Sequence, residues 1–343
     1  MSSVILLCCW ILAVSIITGL GYSKALGSAH SYNETLAFEL ADFSGIAYCK
    51  TIEKWDCGIC KKYPDIEAQR FIRADLSYTI ALDELACLVV VAFQGTDPLR
   101  LSNYVDDFEI LQTEYNRCKG CSVHEGFYNS YLTLTSDLQG NLKTILTQHS
   151  AINEVMFTGH SLGGSLAVLA AIDFKLNASS SSHSSVQLQV YTFGQPRLGN
   201  QLFASFVDTQ FEGRLFRVTH DRDPIPHLPL PFMTVSNVRS LTTSRTGSNN
   251  TFGFEAQEQW PSQATKLAHS SEPQQILNPR YVHHSQEIFY SHSSSDSRGG
   301  SYKECEGGED PNCAARQPFN LAFLPQHWFY LDTNFATAWA LCI

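Results

Sequence analysis

Residues 154–171 read EVMFTGHSLGGSLAVLAA and predict a strand, a sharp turn and a helix in direct succession. The first residues are apolar, the turn carries the pattern G-x-S-x-G, and small and apolar residues of helical character follow. Glycines two positions before and after Ser161 remove side chains that would collide with the strand and the helix. Such a turn presents a serine hydroxyl beside the positive end of a helix dipole, so Ser161 is the candidate nucleophile.

Composition indicates an acidic protein with enough apolar side chains for one large core. The sequence has 343 residues, 44% of them hydrophobic, and a formal net charge of -10. This length favours one large α/β domain with an insertion over two separate domains. The chain has no lysine or arginine run that would offset phosphate repulsion, which argues against a nucleic-acid partner.

The amino-terminal segment, residues 1–22, resembles a secretory signal peptide. Residues 4–17 are almost wholly apolar and small residues follow them, although the usual basic residues in front are missing. An uncleaved anchor is the alternative, but the apolar run is shorter than the roughly 20 residues that a membrane span needs. We therefore expect a secreted protein whose domain covers residues 23–343, and three N-glycosylation sequons fit that expectation.

Cysteine spacing favours disulfides formed in an oxidising compartment. Cys57/Cys60 and Cys118/Cys121 are close pairs, and the long gap between them disfavours a shared zinc site. The remaining expected pairs are Cys305/Cys313, which flank a turn, and Cys49/Cys342, which would close a very large loop. Cys87 is left as a buried free thiol.

Strands and helices alternate along the chain, which predicts a mainly parallel, doubly wound sheet with helices on both faces. The expected helices cover residues 33–48, 123–149 and 200–209, and the expected strands cover residues 77–82, 85–93, 186–193 and 215–219. Residues 85–93 form a continuous apolar run, which indicates a strand buried on both faces. Residues 234–278 are rich in Ser, Thr, Asn and Gln and predict a long polar surface insertion.

A second candidate site element follows the strand at residues 85–93, at the end where α/β sheets keep their sites. Thr96 is a candidate oxyanion donor there. The alternative is that Thr96 only caps the next segment. The amphipathic stretch that follows suits either a flap over the site or a surface helix. Its apolar residues are Leu99, Leu101, Tyr104 and Val105.

A serine nucleophile needs a histidine that accepts its proton and a carboxylate that orients the histidine. In hydrolases with this turn the chain order is Ser, then Asp or Glu, then His. Asp223 follows the strand at residues 215–219 and is favoured over Asp221. His327 lies in an apolar carboxyl-terminal segment that suits an ordered base, and His284 is the alternative.

Six segments together resemble the fungal-type class 3 lipases, a family with the α/β-hydrolase fold. They occur in the family's order, at residues 90–96 (VVAFQGT), 123–127 (VHEGF), 158–164 (TGHSLGG), 193–200 (FGQPRLGN), 217–226 (RVTHDRDPIP) and 327–330 (HWFY). The resemblance implies that Ser161 is the nucleophile, Asp223 the acid and His327 the base. It also implies an oxyanion hole formed by Thr96 and the backbone N–H of Leu162, and a lid over residues 99–107.

This resemblance implies a triacylglycerol lipase that acts on lipid esters at a lipid–water interface, with no cofactor, no metal and no stable protein partner. A feruloyl-type esterase or a phospholipase A1 on the same fold is the alternative within enzymes. A catalytically silent binding protein is the alternative outside them. The chain departs from the family at Gln94, where arginine is frequent, at Thr96, where serine is common, at Pro224, and in the polar insertion.

Overall fold

The computed structural model describes residues 31–106, 111–178, 185–231, 281–291 and 301–342. The expected leader and the insertion at residues 234–278 lie outside them. The helices are α1 (Glu34–Ile46), α2 (Leu101–Asp106), α3 (Glu125–Gln148), α4 (Leu162–Ala178), α5 (Gln201–Phe211) and α6 (Phe335–Leu341). Within the described part of the chain, no helix is both long and apolar enough to cross a bilayer.

Three groups of strands are present in these residues. The strands are β1 (Glu67–Arg73), β2 (Leu76–Asp83), β3 (Leu88–Phe93), β4 (Gln112–Glu114), β5 (Ser122–His124), β6 (Glu154–His160), β7 (Gln187–Phe193), β8 (Gly199–Asn200), β9 (Leu215–His220), β10 (Tyr281–Val282), β11 (Glu287–Tyr290), β12 (Tyr302–Glu304), β13 (Phe329–Tyr330) and β14 (Thr333–Asn334). The main sheet has the order β1-β2-β3-β6-β7-β9-β11-β12, a smaller sheet has the order β10-β8-β5-β4, and β13 pairs with β14.

The middle of the main sheet is parallel and its edges are antiparallel. β3, β6, β7, β9 and β11 run parallel to one another, while β1, β2 and β12 join in antiparallel pairs. All six residues of β3 are buried, as expected for a strand covered on both faces. The carboxyl ends of β3, β6 and β9 therefore lie at one edge of the sheet, where they can build a common site.

Helices cover both faces of this sheet. Val89, Val91 and Phe93 face a core that includes α3 and α4, whereas the alternate residues Leu88 and Val90 face a core that includes α1 and α6. This alternation follows from the two-residue repeat of a strand. The predicted α/β-hydrolase architecture, with a mainly parallel central sheet between helical layers, is confirmed.

Two predicted boundaries are wrong, for local reasons. β3 begins at Leu88 rather than at residue 85, because Leu85 is 77% exposed and belongs to the turn. The buried free Cys87 lies in that turn, with a φ of +56°, and not inside the strand. The helix expected over residues 123–149 begins only at Glu125, because Val123 pairs with Gly199 in the smaller sheet.

Four disulfides cross-link the described part of the chain. They are Cys49–Cys342, Cys57–Cys60, Cys118–Cys121 and Cys305–Cys313, the same pairs that the sequence suggests. The first of them joins the segment after α1 to the end of α6, across 293 residues of sequence. Closing so long a loop removes conformational freedom from the unfolded chain.

Candidate active site

The turn between β6 and α4 holds Ser161 in a strained backbone conformation. Its φ is +58°, in the left-handed region that non-glycine residues seldom adopt. A Cβ on Gly159 would lie 2.3 Å from the carbonyl of Gly163, and one on Gly163 would lie 2.3 Å from the Phe93 carbonyl. Both glycines are therefore needed for close approach, which is the reason for the spacing in the sequence.

Asp223 and His327 come together although they are separated by 104 residues of sequence. Asp223 follows β9, and His327 lies in a short 3-10 helix, Leu321–Trp328. The Nδ1 atom of His327 is 2.8 Å from Oδ2 of Asp223, and both side chains are almost fully buried. A carboxylate only accepts hydrogen bonds, so Nδ1 carries the proton and Nε2 presents a lone pair.

Among the buried polar atoms without a hydrogen-bond partner, three belong to residues expected to be catalytic. Oγ of Ser161, Nε2 of His327 and Oγ1 of Thr96 have no hydrogen-bond partner among the described residues. Buried polar atoms are seldom left so, and each exception calls for a reason. By the expectation from sequence, the three atoms would be a nucleophile, a base and an oxyanion donor, which are the groups that acyl transfer requires.

The expected oxyanion residues lie on two elements that meet at Ser161. A Cβ on Gly95, the neighbour of Thr96, would lie 3.2 Å from Cβ of Ser161. Leu162 is the first residue of α4, so its backbone N–H has no partner within the helix. The structure thus brings Thr96, Leu162 and Ser161 into one neighbourhood, as the sequence suggested.

The two alternatives from sequence lie in other environments. Asp221 has a φ of +39°, and its carboxylate is 3.7 Å from Nε of Arg222. His284 is buried, and its Nε2 is 3.2 Å from the side-chain nitrogen of Gln195. Burial and the nearby Arg217 lower the pKa of His284 to about 3. Asp223 and His327 are therefore the pair that the fold assembles.

Tyr330 is a site residue to which the sequence analysis gave no role. Its hydroxyl donates a short hydrogen bond to Oδ2 of Asp223, the oxygen that also accepts from His327. The other oxygen, Oδ1, accepts from the backbone N–H of Ile225 at 2.9 Å. The sequence indicated only that Tyr330 lies three residues after His327. The pairing of β13 with β14 sets the direction of its side chain.

The acid loop, residues 221–229, is held from behind by a buried arginine cluster formed by Arg197, Arg217, Glu287 and Glu309. Arg197 makes a bidentate pair with Glu309 at 2.7 and 2.8 Å, and it also donates to the carbonyls of His227 and Pro229. Burial raises the pKa of Glu309, but the charge and hydrogen bonds of Arg197 outweigh that effect and lower it. Arg217 lies 3.3 Å from Glu287.

A cavity of about 10 Å³ lies between this cluster and the acid loop. That volume is close to what one water molecule needs. His283 lines the cavity, and its Nε2 donates to the carbonyl of Pro226 at 2.7 Å. The cluster thus fixes backbone carbonyls of the acid loop and contributes no group to the triad.

The stretch expected to form a lid contains α2. Leu99, just before the helix, is 76% exposed, whereas Leu101 is 1% exposed and Val105 packs against the core. Tyr104 lies within the same helix. The helix begins five residues after Thr96, the expected oxyanion residue.

The comparisons with known proteins agree with this geometry. Residues 90–233 match the family model described as Lipase (class 3). The match includes Thr96, Ser161 and Asp223 in their expected order. This segment of the chain therefore matches the class 3 lipase family. Within it, Gln94 stands where the resemblance leads us to expect arginine, and it accepts a hydrogen bond at 2.8 Å from Arg70 of the edge strand β1.

Fungal lipases are among the relatives of the chain. The chain is 33% identical to the lipase of Rhizopus niveus over 202 residues, which are 56% of this chain and 50% of that protein. It is 35% identical to the secreted mono- and diacylglycerol lipase A of Penicillium cyclopium over 156 residues, 46% of this chain and 48% of that one. The chain therefore spans about half the length of the relatives that it matches.

Solved structures show the same fold over most of the chain. The crystal structure of the lipase from Rhizopus microsporus var. chinensis has a TM-score of 0.65 and 25% identity, covering 90% of this chain and 91% of that one. The triacylglyceride lipase of Rhizomucor miehei has a TM-score of 0.65 at 22% identity, covering 90% and 98%.

Proposed function

We propose that this chain is a secreted serine hydrolase that cleaves triacylglycerol esters at a lipid–water interface. The observation that supports the proposal best is the buried pair of Asp223 and His327, together with the unpaired Nε2 of His327 and Oγ of Ser161. The names of the fungal relatives, which are lipases and in one case a secreted mono- and diacylglycerol lipase, support the substrate class and the secretion.

The proposed reaction is acyl transfer in two halves. Ser161 gives its proton to Nε2 of His327 and attacks the ester carbonyl, and Asp223 stabilises the imidazolium that forms. Oγ1 of Thr96 and the backbone N–H of Leu162 hold the oxyanion. His327 then passes the proton to the departing alcohol, and water, deprotonated by the same histidine, releases the fatty acid from Ser161.

The burial of the proposed nucleophile supports an enzyme that is activated at a lipid–water interface. Ser161 is only 1% exposed, so an ester has to displace a covering segment before it reaches Oγ. We assign the role of lid to α2 and the residues before it, including Leu99, Leu101, Tyr104 and Val105. The exposed Leu99 would enter a lipid surface first, because burying an apolar side chain there is favourable.

Hydrolysis limited to partial glycerides is a second candidate, favoured by the name of the Penicillium relative. Comparing trioleoyl, dioleoyl and monooleoyl glycerol as substrates separates the two candidates. Release of fatty acid from the trioleoyl ester at a rate similar to that from the dioleoyl ester favours the triacylglycerol lipase. Release from the partial glycerides alone favours the second candidate.

The deciding experiment measures acid release from tributyrin as its concentration passes the solubility limit, with Ser161→Ala as the blank. We expect the rate to rise sharply once the emulsion forms, and the variant to lose at least about 10⁴-fold in kcat. A saturating curve without a rise would move the assignment to a soluble-ester hydrolase or esterase. Equal rates for the two proteins would contradict the role of Ser161, and failure of a fluorophosphonate to label Ser161 would favour a silent binding protein.

A further inference from the structure

His160, the residue before the nucleophile, has no part in the triad but is hydrogen-bonded at both ring nitrogens. Its Nδ1 lies 2.8 Å from the hydroxyl of Tyr48, and its Nε2 lies 2.7 Å from the backbone carbonyl of His327. The ring is fully buried and stacks on Phe335 of α6 with centroids 3.9 Å apart. Two hydrogen bonds and the stacking on Phe335 therefore fix the orientation of the His160 ring beside the base.

The protons in this arrangement can be assigned from chemistry alone. The carbonyl of His327 only accepts, so Nε2 of His160 carries a proton. Burial and the neighbouring His327 hold the pKa of His160 well below its usual value, so the ring is neutral and Nδ1 accepts. Tyr48 therefore donates to Nδ1, and the Tyr48 oxygen in turn accepts the backbone N–H of Gly95.

These hydrogen bonds form a directed chain from Gly95 through Tyr48 and His160 to the carbonyl of His327. Gly95 precedes the oxyanion residue Thr96. One end of this series of hydrogen bonds therefore holds the backbone just before Thr96, and the other end holds the backbone of the base, His327. The packing at Gly95 is equally tight. A Cβ there would lie 2.2 Å from the Tyr48 hydroxyl and 2.4 Å from the carbonyl of His160.

We propose that Tyr48 and His160 are positioning residues that fix the oxyanion donor Thr96 relative to the base His327 during acyl transfer. This inference rests on the proposed ester hydrolysis. Neither side chain is required to touch the substrate. Their effect is on the separation between two groups that act together in the transition state, so their loss should lower kcat and leave KM nearly unchanged.

The first test is Tyr48→Phe, which keeps the ring and removes only the hydroxyl. Tyr131→Phe is a matched control, because Tyr131 is equally buried and its hydroxyl also donates one hydrogen bond, to Asp173, and accepts one, from Thr135. Both variants should lose similar thermal stability. On the soluble ester p-nitrophenyl butyrate, we expect Tyr48→Phe to lose about 10- to 100-fold in kcat with KM within about twofold, since small misplacements have such effects.

A second test separates the two bonds of His160. The amide nitrogen of glutamine reaches the position of Nε2, whereas that of asparagine reaches only the position of Nδ1. His160→Gln should therefore restore the donor to the His327 carbonyl. Its kcat should be roughly fivefold or more above that of His160→Asn. Equal kcat values for these two variants would contradict the positioning of His327 by Nε2.

Wild type and Ser161→Ala are measured alongside, so that two failures can be told apart. If Ser161→Ala is inactive while Tyr48→Phe matches Tyr131→Phe in kcat, the positioning role is wrong and the hydrolase stands. If Ser161→Ala hydrolyses the ester as wild type does, the proposed function and the positioning role fall together. A higher KM for Tyr48→Phe with an unchanged kcat would also overturn the positioning role, because it would indicate contact with the substrate.

Discussion

Two buried polar regions lie on either side of the acid loop, and they treat their polar atoms differently. On the side of the predicted triad, Nε2 of His327 and Oγ of Ser161 have no partners among the described residues, while Asp223 accepts from His327, Tyr330 and Ile225. On the other side, Arg197 pairs with Glu309 and donates to two backbone carbonyls of the loop. Arg217 pairs with Glu287, although two of its nitrogens also have no partner among the described residues. The first arrangement leaves the atoms of the expected nucleophile and base available to a reactant, and in the second Arg197 holds the loop in place.

This difference shows how a loop can be catalytic on one side and structural on the other. Asp223 faces His327, while the carbonyls of His227 and Pro229 accept hydrogen bonds from Arg197 of the cluster. Variants on the triad side should therefore affect turnover without affecting stability. Variants on the cluster side should affect stability first.

The largest effect is expected on the triad side, for Asp223→Asn. An amide has one accepting oxygen, so it cannot accept from His327 and Tyr330 at one position and from the Ile225 N–H at the other, as the carboxylate does. The base therefore loses its tautomer and its orientation. We expect kcat to fall by about 10⁴-fold with little change in the thermal midpoint. Asp221→Asn is the control and should stay within about threefold, since asparagine tolerates its φ of +39°. Similar losses in the two variants would remove the distinction between these aspartates.

The next effect is expected on the cluster side, for Arg197→Met. This change leaves the partly buried Glu309 carboxylate without its charged partner, which should lower the free energy of unfolding in urea by up to about 3–5 kcal/mol. Arg100→Met removes an exposed pair with Asp75 and should lower it by at most about 1 kcal/mol. Adding Glu309→Gln to Arg197→Met should recover part of the stability, because no unpaired charge then remains.

Activity of Arg197→Met sharpens the comparison further. At a temperature where the variant is folded, kcat should stay within about tenfold of wild type, because the cluster supplies no group to the reaction. A loss as large as that of Asp223→Asn, in a protein shown to be folded by circular dichroism, would mean that the two sides of the loop are not separable.

The smallest effect is a pH dependence of stability that arises on the cluster side. Burial, with a further contribution from Arg197, lowers the pKa of His227 to about 4, against about 6.5 for an unfolded histidine. Between these values the unfolded state binds a proton that the folded state does not, so stability falls as the pH falls from about 6.5 towards 4. One such histidine contributes about 1.4 kcal/mol per pH unit in that window.

Urea unfolding at several pH values, for wild type and His227→Gln, measures this contribution. The glutamine variant should show a shallower slope between about pH 4 and 6.5 and the same slope as wild type above that range. An unchanged slope would show that His227 is not held neutral by the fold. His284, with a pKa lowered to about 3, should supply a similar slope that persists in the variant.

Short-range patterns in the sequence determined the central part of the fold. A continuous apolar run identifies β3 because a central parallel strand is covered on both faces. The strained turn at Ser161 is also readable, since Gly159 and Gly163 occupy positions where any Cβ would collide with backbone. The chain order of serine, acid and base then narrowed the triad to a few candidates.

Only the tertiary structure decided among those candidates. Asp223 and Asp221 differ by two positions, but the direction of the chain after β9 aims one at His327 and the other at Arg222. The edge strands β1 and β12, the partners Tyr48 and Tyr330, and the arginine cluster were not readable, because each depends on pairing between distant segments. Local periodicity records which face of an element is buried, whereas a contact across 104 residues, as between Asp223 and His327, exists only once the order of strands in the sheet is set.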